Sequence, residues 1–249
     1  MQDSDNFSLK QLLASLPVDS PVDLAWLNTH HVNSNYAARL ARLGYLKKLG
    51  AGVYCAPGAK LQLEACLVWL AKRVPGMHIA SKSALSWRGI RHNIASKELL
   101  VLWGEQQFKV PLWFSDRFPV RYHTSHIFNE QMQPAFGLSG APGKPASVMV
   151  SVPERGLLEL LSEVGTHVGL EEARNITENA RNLRRDVLDQ LFSHLERVKV
   201  IRLAENFARD LNLPWHDLAR LHLQRRGVRG RWVLSHPTSI ETISLGPAK

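Results

Sequence analysis

The sequence has few cysteines, no long apolar run and fewer acidic than basic residues. Cys55 and Cys66 are the only cysteines among 249 residues, too few for a disulfide framework or, by themselves, for a four-ligand zinc site. We expect two reduced interior thiols. The acidic start of the chain lacks the basic and then apolar pattern of a signal peptide, and no uncharged apolar stretch approaches the ~20 residues that cross a bilayer. We therefore expect a soluble, cytoplasmic protein without a membrane partner.

The charge balance favours an anionic partner. Lysine and arginine number 31, aspartate and glutamate 22, and the formal net charge is +9. Hydrophobic residues make up 45% of the chain, the share of a globular protein with a real core. For an intracellular basic protein of this kind, nucleic acid is the partner we expect most, and an acidic protein is the next alternative.

Residues 1–75 predict a winged helix-turn-helix domain. The first helix carries leucines three and four residues apart: Leu9, Leu12, Leu13 and Leu16. This spacing forms one apolar helix face, and Pro17 ends the helix. Ser20 and Pro21 are expected to begin a second helix that reaches about His31, because a hydroxyl caps well and proline suits the first helical position. A short break follows before residue 35.

The segment 33–43 predicts a recognition helix. At about 100° per residue, Ala37, Leu40 and Ala41 point to one side. Asn35, Arg39 and Arg42 point to the other side, which carries no acidic residue. In the major groove, arginine hydrogen-bonds guanine edges and asparagine hydrogen-bonds adenine edges. A helix, a short turn and a helix with such a face match helix-turn-helix docking on DNA.

The next segment predicts the wing. Residues 44–54 place β-compatible residues on both sides of the glycine-rich turn 50–52, which indicates a two-stranded hairpin. Lys47 and Lys48 would contact phosphates, adding affinity without sequence information. Ser34 and Tyr36 would flank the DNA-reading face of the helix. The alternative is a solvated basic helix beside a surface hairpin.

Residues 76–249 predict a second, mixed α/β domain, so the whole chain is α+β. Residues 138–145 are rich in glycine and proline and are expected to form a loop. Hydrophobic periodicity predicts a last helix of the N-terminal domain over residues 60–74. In the second domain it predicts helices over residues 81–87, 153–164, 170–182, 184–196 and 199–211. Strands are predicted over residues 98–103, 110–114, 120–122, 146–152, 231–234 and 239–245.

A second basic surface is predicted near the end of the chain. Between residues 199 and 231 there are eight basic and three acidic residues. The candidate contacts are Lys199, Arg202, Arg209, Arg225, Arg226, Arg229 and Arg231. A solvated loop or a second contact with DNA or an acidic partner would each account for them.

No arrangement of residues predicts an enzyme, a cofactor or a metal site. Adjacent His30 and His31 point about 100° apart on a helix and cannot share a metal as i, i+4 histidines do. His123 and His126 have no carboxylate near them in sequence. A metal-dependent nuclease would need paired carboxylates and a lysine at strand ends, whereas Glu98 is followed by an apolar run. No phosphate-binding Gly-Lys-Ser or Gly-Lys-Thr occurs.

The combined motifs resemble the AbiEi antitoxins of type IV toxin–antitoxin systems. The specific part of the resemblance is the segment 153–161 together with 198–203, and Pro214 and Trp215 lie downstream of both. Other matching segments are residues 35–46, 52–54, 78–85 and 151–152. The closing segment 229–234 follows the family's glycine-and-basic pattern only loosely.

The resemblance implies a bifunctional protein. The winged helix would repress its own operon by binding double-stranded DNA at inverted repeats in the promoter, and the C-terminal antitoxin domain would counter a cognate nucleotidyltransferase-type toxin. The alternative is a protein-interaction antitoxin that contacts an acidic toxin surface directly, with the winged helix only a scaffold.

Overall fold

The computed structural model describes residues 9–91, 99–124, 126–227, 232–234 and 243–245. The chain divides into two compact units. The first comprises residues 1–75 and 108–119, and the second comprises residues 76–107 and 120–249. The segment 108–119 thus belongs to the N-terminal unit although it lies far along the sequence. Helices and sheets are both present, as an α+β fold requires.

The first unit is a winged helix. Its helices are α1 (Leu9–Ser15), α2 (Leu24–Thr29), α3 (Ser34–Arg42), α4 (Leu63–Ala71) and α6 (Leu112–Ser115). Its strands are β1 (Val22–Asp23), β2 (Lys47–Gly50) and β3 (Val53–Cys55), in the antiparallel order β1-β3-β2. The three-helix cluster and the sheet share one core, which includes Leu12, Leu27, Leu40 and Tyr54.

The start of α2 corrects the expectation from Ser20 and Pro21. Residues Val22 and Asp23 form a strand that pairs with Tyr54 and Val53, so the helix begins at Leu24. The cap is the Asp23 carboxylate, which accepts a hydrogen bond from the Trp26 N–H at 2.8 Å. A capping carboxylate stabilises a helix start as a serine would, and pairing with β3 keeps the preceding residues extended.

The predicted strand 110–114 is also wrong. Leu112–Ser115 is a short helix, with Pro111 as its N-cap. Trp113 packs edge-on against Trp69 with 5.5 Å between ring centroids, and its ring lies over Gly50, where an added Cβ would sit 3.5 Å away. Packing of this aromatic side chain therefore overrides the β propensity of the segment.

Both thiols lie in the interior of the first unit, as expected. Cys55 and Cys66 are free and buried. Burial raises the pKa of the Cys66 thiol to about 12 and also raises that of Cys55. Neither thiol is a reactive thiolate at neutral pH.

The second unit is a mixed sheet covered by helices. Its strands are β4 (His78–Ile79), β5 (Leu100–Gly104), β6 (Val120–Thr124), β7 (Leu138–Ser139) and β8 (Val150–Ser151), in the order β6-β5-β4-β8-β7. Its helices are α5 (Ser81–Trp87), α7 (Pro153–Ser162), α8 (Leu170–Glu178), α9 (Arg185–His194), α10 (Val198–Asp210) and α11 (His216–Arg225). A separate antiparallel pair joins β9 (Trp232–Leu234) and β10 (Ile243–Leu245).

Two expectations for this sheet need correction. The strand predicted over residues 146–152 shortens to Val150–Ser151. The glycine- and proline-rich stretch contains a strand, Leu138–Ser139, which pairs antiparallel with β8. Pro145 has no amide hydrogen and cannot donate a hydrogen bond to a neighbouring strand. Strand pairing is therefore confined to Leu138–Ser139 and Val150–Ser151, which lie on either side of the turn that contains Pro145.

Helix α7 is the centre of the second unit. All residues from Glu154 to Ser162 are buried, and their leucines join one large core with α8, α9, α10 and α11. Glu159 accepts hydrogen bonds from Ser151 Oγ, the Ser81 N–H and Arg155 Nε, and lies 3.1 Å from His78 Nε2. This burial of charge is tolerated because each charged group has partners.

A second buried carboxylate on α7 anchors the next helices. Glu154 receives two side-chain hydrogen bonds from Arg184, at 3.1 and 2.9 Å, and one from its backbone N–H at 2.7 Å. Burial alone would raise the pKa of Glu154, but the hydrogen bonds from Arg184 outweigh it and lower that pKa. The α7 carboxylates are therefore structural groups.

Candidate nucleic-acid interface

A tight turn sets the angle between α2 and α3. The N–H groups of His30 and Val32 donate to the Leu27 carbonyl at 2.9 and 3.0 Å. His31 adopts a left-handed conformation with φ of 58°, and Val32 is buried. The Asn33 side-chain oxygen then accepts the Tyr36 N–H at 2.9 Å and caps α3. These local contacts fix where the recognition helix begins.

The inner face of α3 is as the sequence predicts. Ala37 and Leu40 are buried in the winged-helix core, and Ala41 packs against it. The small side chain of Ala37 allows the helix to lie close to its neighbours, because no bulky group separates them.

The outer face of α3 is open to solvent. Ser34, Asn35, Tyr36, Arg39 and Arg42 are all exposed. Within the described ranges, neither arginine forms a side-chain hydrogen bond or an ion pair. Two guanidiniums without carboxylate partners leave their full donor capacity for a ligand.

The α3 edge also carries exposed apolar side chains, and the sequence pattern indicated only Tyr36 among them. Leu43 is 59% exposed, Tyr45 40% and Tyr36 38%. At 100° per residue, Tyr36 and Leu43 lie along the same edge of the exposed arc as Arg39. The signal was present in the i, i+7 spacing of these two residues. Leu43 was hard to assign because it follows the last helical residue as the C-cap.

The predicted wing is a real hairpin, and its register separates the two lysines. Lys47 pairs with Cys55 and Lys48 with Tyr54, before a bulge between Lys48 and Gly50. Consecutive strand residues point to opposite faces of a sheet. Lys48 therefore shares a face with Tyr54, which packs in the core formed with α1–α3, whereas Lys47 lies on the Cys55 face. Both lysines are exposed.

The second basic surface is only partly available. Lys199 is half-buried, its ammonium donates to the Val164 carbonyl, and burial lowers its pKa. Arg209 contacts Glu205 at 3.4 Å and Asp210 at 3.1 Å. These two cations already have partners in the protein.

The other residues predicted for the second basic surface differ in whether they have partners within the protein. Arg226 donates to the Phe192 carbonyl at 3.0 Å. Arg202, which is half-buried, and Arg225, which is exposed, have no side-chain partner among the described residues. Arg229 and Arg231 lie outside the described residues, as does Glu98. The surface thus remains a prediction, and among its described members only Arg202 and Arg225 have no side-chain partner.

The histidines among the described residues do not gather into a ligand set. His123 faces His167 with 6.1 Å between ring centroids, and burial lowers its pKa. In the part of the chain that the structure describes, no three His, Cys, Asp or Glu side chains are grouped as metal ligands. Nor does any described helix have the length and apolarity needed to cross a membrane.

Comparison with known proteins adds a fold relative. The crystal structure of the RV2827C protein from Mycobacterium tuberculosis is similar at 14% sequence identity and a TM-score of 0.58, covering 89% of this chain and 81% of that chain. At this identity the likeness shows the fold alone. No curated protein sequence matches the chain.

Family comparison identifies both parts of the chain. Residues 5–96 match the family described as "Transcriptional regulator, AbiEi antitoxin N-terminal domain". Residues 97–244 match "Transcriptional regulator, AbiEi antitoxin, Type IV TA system". Together with the winged helix and its unpaired arginines, these matches show that the chain belongs to the AbiEi family of antitoxins, the transcriptional regulators of type IV toxin–antitoxin systems.

Proposed function

We propose that this protein represses its own operon by binding inverted repeats in the promoter, and that it counters a toxin of nucleotidyltransferase type. Its work is binding and not catalysis. The observation that carries the DNA part is the exposed face of α3, where Arg39 and Arg42 have no protein partner in the described ranges. Family membership supports the toxin part.

The geometry supports direct reading of base edges. Arg39 and Arg42 would donate to guanine O6 and N7, and Asn35 would pair with an adenine edge. Tyr36 and Leu43, on the edge of the same face, would contact thymine methyl groups or sugars. Ser34 near the helix N-terminus and Lys48 on the wing would contact phosphates, which position the protein without specifying sequence. Two copies on an inverted repeat would occupy two half-sites.

The test is the double variant Arg39→Ala with Arg42→Ala. Each good bidentate contact contributes roughly 1–3 kcal/mol of discrimination, so we expect a loss of about 5- to 150-fold in promoter affinity per arginine. Fluorescence anisotropy with the promoter duplex and with a scrambled duplex of equal length measures this loss.

The matched control is Arg174→Ala with Arg181→Ala. Both arginines are exposed in the second unit and unpaired among the described residues, so the charge lost is the same. If both double variants lose equal affinity, or if the α3 variant keeps its preference for the promoter, base reading by α3 is wrong. Equal melting temperatures show that both variants are folded.

A further inference from the structure

The winged helix is completed by a segment from much later in the chain. Strands β5 and β6 of the second unit are parallel neighbours. Parallel neighbours need a crossover connection, and its helix ordinarily covers the sheet that the two strands form. Here the connection contains α6, and residues 108–119 belong to the first unit, whereas both strands belong to the second. The helix of this crossover therefore packs in the winged helix.

Strand β2 of the wing has little support from its own sheet. It is an edge strand in the order β1-β3-β2, so it pairs with β3 alone. A bulge between Lys48 and Gly50 interrupts that pairing, and a bulge leaves a residue unpaired and bends the strand. The part of β2 that follows Lys48 therefore depends on another contact to hold its position.

The bulge turns Gly50 to the sheet face opposite Lys48. Lys48 pairs with Tyr54, whereas Gly50 pairs with Val53. Paired residues share a face and consecutive residues alternate, so the two positions lie on different faces. A Cβ at Gly50 would lie 3.5 Å from Cδ1 of Trp113. The indole of this α6 residue thus rests on the β2 backbone, on the face away from Lys48.

The indole of Trp113 is itself held in place. It is buried and packs edge-on against Trp69 of α4, with 5.5 Å between ring centroids. It also packs edge-on against the fully buried Phe114, at 5.9 Å, and the Trp113 carbonyl accepts a hydrogen bond from Arg117 Nη1 at 3.1 Å. Aromatic pairs in this arrangement are favourable and directional. Trp113 is therefore a fixed support for a strand that its own sheet holds weakly.

We propose that Trp113 is a positioning residue for DNA binding, because it holds β2 where Lys48 reaches a phosphate. A wing that already has its bound position loses less conformational freedom when DNA binds, which favours affinity. The inference rests on the DNA-binding function proposed above. It adds a residue outside 1–75, buried and without contact to DNA, that sets one of the DNA contacts of the winged helix.

The test is a double-mutant cycle in the full-length protein. Trp113→Leu keeps an apolar side chain in the core but has no ring to support Gly50. We expect it to reduce the slope of log affinity against log salt by about 0.9, the share of one phosphate contact. Lys48→Ala should reduce the slope by the same amount in the unmodified protein and by nothing further beside Trp113→Leu. Anisotropy titrations of the promoter duplex from about 50 to 200 mM salt give the four slopes.

Two further variants separate position from stability. Trp113→Phe keeps a ring at Gly50 and should restore most of the slope. Leu12→Ala truncates a buried residue of α1 in the winged-helix core, so it should lower the melting temperature and leave the slope unchanged. All titrations are made at a temperature at which every variant is folded.

The same contact can be disturbed from the strand side. Gly50 does not have a positive φ, so Gly50→Val adds its methyl groups toward the indole without straining the backbone. We expect this variant to shift β2 and to lower the slope as Trp113→Leu does. It completes the cycle with Lys48→Ala even if Trp113→Leu does not fold.

Three results would overturn the proposal. The first is an unchanged slope in the folded Trp113→Leu variant or, if that variant does not fold, in Gly50→Val. The second is a full effect of Lys48→Ala beside either substitution, or no effect of Lys48→Ala in the unmodified protein. The third is an equal loss of slope in Leu12→Ala, since general destabilisation would then account for the effect.

Failure of the proposed function gives a different result. A phosphate contact carries no sequence information, so the four slopes can also be measured on the scrambled duplex. If the unmodified protein binds both duplexes equally, promoter recognition is wrong, and the scrambled-duplex slopes still decide whether Trp113 positions Lys48. If the protein prefers the promoter and Trp113→Leu keeps its slope, recognition by α3 stands and the positioning role is wrong.

Discussion

Helices α3 and α7 both carry arginine, but they use it in opposite ways. Arg39 and Arg42 on α3 are exposed without partners among the described residues. Arg155 on α7 is buried and donates to Glu159 and two backbone carbonyls. The first arrangement leaves donors for an external ligand, whereas the second satisfies donors within the fold.

The contrast shows that charge alone does not mark a functional residue. A polar group at the surface contributes little to folding, so a one-sided cationic face there is free to serve binding. A buried charge is costly unless it is paired, so the groups around Glu159 depend on one another. We therefore expect substitutions in α7 to act on stability and substitutions on the outer face of α3 to act on DNA binding.

The strongest test of this contrast is Glu159→Gln. Removing one member of a buried ion pair leaves Arg155 without its counter-charge and costs roughly 3–5 kcal/mol. Urea unfolding followed by circular dichroism measures the loss in the free energy of unfolding. The control is Glu171→Gln, an exposed carboxylate in the first turn of α8 without a described partner, which should change stability by no more than about 1 kcal/mol. Equal stability of the two variants would contradict the structural role of Glu159.

The same carboxylate gives a pH dependence with a definite sign. Burial raises the pKa of Glu159, but His78, Arg155 and the Ser81 N–H outweigh it, and the net shift is downward. A lowered pKa in the folded state stabilises the fold above the ordinary value of about 4.3, and this contribution is lost as the pH falls through the folded pKa. The stability gap between the unmodified protein and Glu159→Gln should shrink as the pH falls below about 4, where the Glu159 carboxylate of the unmodified protein becomes protonated. A gap that widens on acidification would show the opposite sign.

The inner face of α3 provides a test of intermediate size. Ala37 is fully buried, so Ala37→Leu overfills the space beneath the helix and should cost roughly 1–3 kcal/mol. Ala38→Leu, one residue along on the exposed side, adds the same atoms without a core to disturb. Thermal unfolding of both variants compares them directly. Equal melting temperatures would mean that α3 is not held close to the core.

The sequence allows α3 to be predicted because its two faces differ in every turn. Between Asn35 and Arg42, apolar residues on one face and polar or cationic residues on the other recur at helical spacing, so a period of about 3.6 residues describes the whole helix. The strands Val22–Asp23 and Leu138–Ser139 could not be predicted in this way, since two residues contain no period and form only through pairing with distant partners. Packing between distant segments decided both.

The second unit also contains an open cavity of about 600 Å³ that could not be predicted from the sequence, because its lining residues come from distant parts of the chain. Glu105, Glu130 and Glu196 are separated by 25 or more residues along the chain, and only the fold brings them to one rim. The sequence also did not show which basic residues between 199 and 226 have partners within the protein. Lys199 and Arg226 each donate to a backbone carbonyl from another element, and sequence spacing contains no information on such contacts.

The smallest expected effect separates the two wing lysines. Each phosphate contact contributes roughly 0.9 to the slope of log affinity against log salt. Lys48 shares the sheet face of Tyr54 and the helical core, and Lys47 points to the other face. Because α3 lies on the helical side, Lys48→Ala should reduce the slope by nearly one unit and Lys47→Ala by much less. Anisotropy titrations of the promoter duplex from about 50 to 200 mM salt give both slopes. If both substitutions reduce the slope equally, the two lysines contact phosphates to the same extent, and the sheet face on which each lysine lies does not decide its contact with DNA.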